Sequence, residues 1–119
     1  MNVLMPLPSC DYDPSEAGVS HALIRAAGHA VSFATPEGRP ARADPAMLSG
    51  AGFDVWGRLP LLRHLVLIGR FLRADRRARV AHAAMQADPA FARPMRYAQI
   101  DPGAFDALLL PGGHAQGMR

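Results

Sequence analysis

Four apolar residues, Ala107 to Leu110, run from Asp106 straight into Pro111-Gly112-Gly113. An apolar run of that length between turn residues reads as a strand buried on both faces, and such strands lie inside parallel α/β sheets. The two glycines leave the backbone able to adopt φ > 0 and to turn successive N–H groups toward one point, a small anion-binding concavity. Ligands of open α/β sheets bind at that carboxyl edge. The plainer reading of Pro-Gly-Gly is a tight turn and no more.

The rest of the chain supplies partners for such a strand. Val3 to Leu7 reads as a first short strand, "PSCDYDP" as a turn-rich connection, and Ser15 to Ala27 as a helix closed by Gly28. Val31 to Ala34 follows as a second strand, with Gly28-His29 as the return turn. Strand, helix and strand in that order predict a right-handed βαβ unit. Residues 35–52, with three prolines and three glycines, read as a loop carrying one short helical turn near Pro45 to Leu48.

Leu59 to Gln86 is the most helical stretch, free of proline after Pro60 and interrupted by glycine only at Gly69. Arg63, Arg70 and Arg77 recur every seven residues, and Leu62, Leu65, Val66, Ile68, Phe71 and Leu72 form a broad apolar face. The pattern predicts an amphipathic helix or helix pair packed on a sheet with solvated arginines. Arg63, His64 and Arg70 interrupt the apolar run too early for a membrane span.

Composition narrows the class further. The chain has 119 residues, half of them hydrophobic, enough for one small domain. Its thirteen basic residues are all arginine and the net charge is only +3, a coding bias more than a nucleic-acid footprint. One cysteine, Cys10, makes no internal disulfide, and the first residues lack a basic leader, so a reduced, cytoplasmic protein is expected.

Asp13 is placed to cap the first helix, with Pro14 as its first residue and Glu16 as its third. That is a capping-box arrangement, and it accounts for Glu16 structurally. The same position also lies just past the carboxyl end of the first strand, on the edge of the sheet where Gly112-Gly113 falls.

Three blocks, "VLMPLPSCDYDPSE", "LIRAAGHAVSFATPEGRPARADPAML" and "FDALLLPGGHAQGMR", together resemble the ThiJ/PfpI superfamily, the class I glutamine amidotransferase-like proteins. The nearest branch is the one with type 1 amidotransferase-like domains, close to the glyoxalase III and heat-shock chaperone group. The resemblance implies a flavodoxin-like, doubly wound parallel α/β sheet and a nucleophilic cysteine on a sharp strand-to-helix elbow. Glu16 matches the family's glutamate that contacts this cysteine, Gly113 matches the glycine whose N–H meets an oxyanion, and Gly112 and His114 shape the substrate side of the turn. A protonated carboxyl favours a thiolate by donating to it, and a glycine N–H stabilises charge developing on a carbonyl oxygen.

In the family the elbow lies beyond "GGHAQGMR", so residues 1–119 are expected to form a single partial domain, the N-terminal part of the fold. Cys10 lacks the strand–turn–helix context of an elbow nucleophile and reads as a small apolar filler. His21, His29, His64, His82 and His114 show no close metal-ligand spacing; His29 reads as a turn residue, and His64 and His82 as helix-surface residues. The expected partner of the complete protein is a small carbonyl or amide substrate, with no metal, cofactor, nucleic acid or membrane, and a homodimer is compatible with the reading while no residue pattern sets the oligomeric state. Two functions follow. One is the N-terminal portion of a cysteine-dependent enzyme acting on small reactive carbonyls or on C–N bonds. The other is a non-catalytic binding or chaperone-like module using the arginine-bearing helix 59–86.

Overall fold

The computed structural model describes residues 1–50 and 74–113. Strand β1 (Asn2–Pro6) is the centre of a four-stranded sheet in which every pair is parallel. On one side it pairs with β3 (Ala30–Thr35), which in turn carries the two-residue β5 (Met95–Arg96). On the other side lies β6 (Ala107–Leu108), giving the order β5-β3-β1-β6. The order reverses at β1: helix α1 (Pro14–Ala26) leads to β3 on one flank, and the chain later returns to the opposite flank as β6. This is the flavodoxin-like pattern expected from the sequence, and it opens a crevice at the carboxyl ends of β1 and β6.

Residue alternation explains which face is filled. Val3 aligns with Val31 and Met5 with Phe33, so these four share the face on which the helices lie. The core there joins Met5, Leu7, Tyr12, Ala17, Val31, Phe33, Met85 and Phe91, with the Phe33 and Phe91 rings edge to face at 5.3 Å. Leu4 and Leu108 align on the opposite face.

Each α-helix among the described residues opens on an aspartate, because an aspartate carboxylate accepts from the first free N–H groups. Asp13 caps α1, Asp44 caps α2 (Pro45–Ser49), Asp75 caps α3 (Arg76–Gln86) and Asp88 caps α4 (Pro89–Ala92). Helix α1 closes through two bonds, Gly28 N–H to the Arg25 carbonyl and His29 N–H to the Ile24 carbonyl, with Gly28 at φ 82°. Only glycine enters that left-handed turn without strain. Helix α2 and the return turn at Gly28-His29 fall where the sequence places them.

Helix α3 packs directly on α1. Ala78, His82 and Met85 form its buried face, while Arg76 and Arg77 are exposed and Arg79 donates back to the Ala74 carbonyl. Much of the predicted 59–86 helix, including His64, lies outside the described residues; Ala74 and Asp75 are not helical, so α3 starts at Arg76 with its own cap.

Several expectations are corrected. "PSCDYDP" is not only a turn: Cys10–Tyr12 forms β2, which pairs in parallel with β4 (Arg42–Ala43). A bulge at Asp11, with φ 65°, lets the short strand turn Tyr12 fully inward. His82 is not on the helix surface. It is buried because the Tyr12 hydroxyl lies 2.8 Å from its Nε2 and satisfies it. Burial holds the His82 imidazole below its ordinary pKa.

The strand at Ala107 is likewise not buried on both faces. Leu108 and Leu110 are 59% and 71% exposed, since β6 is an edge of the sheet among the described residues. Their side of the sheet carries an apolar groove of about 440 Å³ that Ile100, Pro102 and Phe105 help to line.

Asp88 ties α4 to α1, accepting from Ala90 N–H at 2.9 Å and lying 3.1 Å from Nε2 of the buried His21. Asp88→Ala removes a cap and leaves His21 without this partner. A loss of about 2–3 kcal/mol is expected in denaturant unfolding. Asp88→Asn, which preserves the cap, should cost less.

Candidate functional site

The crevice at the switch point is built by two segments that are distant in sequence. Helix α1 begins just after β2, so its first turn stands at the carboxyl edge, and the segment after β6 arrives beside it from the other flank. Two hydrogen bonds join them. The Gly112 N–H donates to Glu16 Oε2, and the Asp13 N–H donates to the Gly112 carbonyl at 3.0 Å.

The capping box expected at this turn is therefore only half made. The Asp13 carboxylate accepts from Ser15 N–H at 2.7 Å and Glu16 N–H at 3.1 Å, as a cap should. The reciprocal arm, from Asp13 N–H to the Glu16 carboxylate, is replaced by the backbone of Gly112. Its N–H and its C=O, in the peptide groups on either side of the Cα, supply the donor and the acceptor that satisfy both groups.

The φ of Gly112 is not in the left-handed region; instead, a Cβ there would sit 2.7 Å from Glu16 Oε2. A larger residue would therefore push the exposed Glu16 carboxylate aside and disturb its bond to the 112 N–H. Gly113 follows, half-buried, and among the described residues no hydrogen bond engages its N–H. Glu16 itself is exposed, and Oε1 has no partner among the described residues. His114 lies outside the described residues.

Cys10 stands in β2, and the charged groups acting on it are Asp11, Arg42 and Glu37. A hydrogen bond with Asp11, then burial, then the Asp11 charge push its thiol above the ordinary cysteine range, with Arg42 acting the other way. A thiol held in its neutral form is a poor nucleophile. Among the described residues no group of three or more His, Cys, Asp or Glu side chains could hold a metal ion, and no helix is long and apolar enough to cross a membrane.

The same edge carries a second feature, absent from the expectations drawn from the sequence. Ser9, Glu37, Arg39, Pro40 and Arg42 line a polar recess of about 370 Å³ formed by the segments that leave β1 and β3. The repeated arginine in "GRPAR" is its one visible sign in the sequence. Nearby, the Tyr97 hydroxyl donates to the Leu7 carbonyl at 2.6 Å, pinning the chain just beyond β1.

A parallel sheet whose order reverses at β1, with a carboxylate bound to the glycine backbone across the resulting crevice, defines an open α/β protein whose candidate site is the carboxyl edge. Residues 7–119 match the family model described as ThiJ/PfpI family-like, and the chain belongs to that family. Comparison with curated proteins and with solved structures gives no match.

Proposed function

We propose that this chain carries the acid and oxyanion side of a cysteine-dependent site for small reactive carbonyl compounds. The observation that supports it most directly is the bond from Gly112 N–H to Glu16, which fixes one carboxyl oxygen at the switch-point crevice. The other oxygen, Oε1, is assigned to the thiol, which it favours as thiolate by donating a hydrogen bond in the acid form. The thiolate sulfur adds to the carbonyl carbon, and the electron pair moves to the carbonyl oxygen. Gly113 N–H is assigned to that developing oxyanion, and His114 to orienting the substrate. The nucleophile in this reading is a cysteine from outside residues 1–119, since Cys10 faces other charges and its thiol is pushed up.

Two measurements test it. In a polypeptide that supplies the thiol, Glu16→Gln keeps an acceptor for Gly112, so stability should hold within about 0.5 kcal/mol. The alkylation rate of the thiol against pH should nevertheless move. An unchanged profile would reduce Glu16 to a structural clamp. Residues 1–119 by themselves should consume methylglyoxal no faster than their Cys10→Ser variant; turnover abolished by that exchange would make Cys10 the nucleophile and overturn the assignment.

A further inference from the structure

We propose that the recess formed by Ser9, Glu37, Arg39 and Arg42 binds the oxyanion group, carboxylate or phosphate, of a small organic ligand. Its use as a charged handle for a carbonyl substrate rests on the function proposed above, whereas anion binding at the recess stands independently.

Charge is the first support. Two arginines against one glutamate leave the lining net positive. The Glu37 carboxylate accepts from Ser9 Oγ at 2.7 Å, and among the described residues neither Arg39 nor Arg42 forms an ion pair with any carboxylate. Two guanidinium groups thus share the recess with one carboxylate, and among the described residues neither is ion-paired to it. Guanidinium presents its N–H donors in a planar fork that matches carboxylate and phosphate oxygens.

Preorganisation is the second. The backbone of the loop carrying the arginines is tied down at several points, so little backbone ordering remains when a ligand arrives. Thr35 Oγ1 donates to the Arg39 carbonyl at 2.8 Å, and Arg42 N–H donates to the Ser9 carbonyl at 3.1 Å. Arg42 is also in register with Cys10 through the β2–β4 pairing. Gly38, at φ 71°, makes the turn, with the Arg96 side chain packed where a Cβ would stand, 2.8 Å away.

Location is the third. Ser9 follows β1 and Glu37 to Arg42 follow β3, so the recess stands on the carboxyl edge that also bears Glu16 and Gly112. Ligands of open α/β sheets collect on this edge. A volume of about 370 Å³ admits a small organic acid or a phosphorylated metabolite.

The test is calorimetric titration of the 119-residue chain in low-salt, phosphate-free buffer. Pyruvate and inorganic phosphate serve as separate probes, with dihydroxyacetone as the uncharged control. Binding of at least one anion is expected. Arg39→Met and Arg42→Met should each weaken it about tenfold, as for loss of a charge-assisted bond, while Arg93→Met, exposed and outside the recess, should leave it unchanged. Glu37→Gln keeps an acceptor for Ser9 and removes the opposing charge, so it should tighten binding, a change of opposite sign that misfolding does not imitate. Pyruvate binding without phosphate identifies a carboxylate ligand; the reverse identifies a phosphorylated one. Failure of both anions to bind, equal binding by the Arg39→Met/Arg42→Met double variant, or equal binding of dihydroxyacetone overturns the proposal. None of these readouts depends on a cysteine or on turnover, so they leave the carbonyl reading to its own test.

Discussion

Gly18→Ala is expected to destabilise the protein by about 2 kcal/mol, the net of an overpacking cost near 3 and a gain near 1 from alanine's helix propensity. The methyl group would lie 2.6 Å from the His82 backbone nitrogen and 2.7 Å from its Cα. Both atoms are backbone in α3, so no side chain can swing aside and the two helices must separate. Separation draws His82 away from Tyr12 and loosens Met85 in the core. In a thermal melt the loss corresponds to a midpoint lower by roughly 8 °C. A variant as stable as the parent, or more so, would mean that α1 and α3 do not approach through Gly18.

The second large effect concerns Tyr12 and His82. Tyr12→Phe removes the hydroxyl and leaves the buried imidazole without its partner, at a cost of about 1–3 kcal/mol. The pair also sets a pH dependence. His82 has a folded pKa below its unfolded value, so the unfolded state takes up the proton first as the pH falls. The stability due to the neutral imidazole is complete above about pH 6.5 and is lost toward the folded pKa, with a limiting slope of about 1.4 kcal/mol per pH unit. His82→Gln should flatten this limb. Asp88 acts in a separate, more acidic window. Its burial raises the carboxyl, but the Ala90 N–H and His21 outweigh that and hold it low, so its contribution is lost only as the pH falls below the ordinary aspartate range. Denaturation curves taken across this range should therefore show two descending limbs, and only the upper one should respond to His82→Gln.

The elements legible in the sequence were those whose signals are local. The cap at Asp13-Pro14 and the turn at Gly28 bracket α1, and short apolar runs mark β1 and β3. By contrast, Cys10–Tyr12 is a three-residue strand whose partner lies some thirty residues away, so nothing local distinguishes it from a turn. Helix α4 opens on Asp88-Pro89, the same start signal as α1 and α2, but it ends after four residues and leaves no periodicity to read. His82 reads as a surface residue because a histidine counts as polar in any pattern; the Tyr12 hydroxyl, supplied by β2, is what makes its burial tolerable. At the site, topology alone brings Glu16 and Gly112 to one edge. Which N–H meets which oxygen depended on the approach of two backbones, and no spacing rule records that.

The clamp between Glu16 and Gly112 joins residues separated by 96 positions in the chain. Helix α1 and the β1–β3 pair need only local or short-range closure, whereas this contact waits for β6 to dock against β1. Long-range pairings form late because their loop entropy must be overcome first. The crevice is thus a reporter of β6 docking: the Gly112 amide should become protected from hydrogen exchange only when β6 has closed against β1, and it should be among the first to open when β6 detaches.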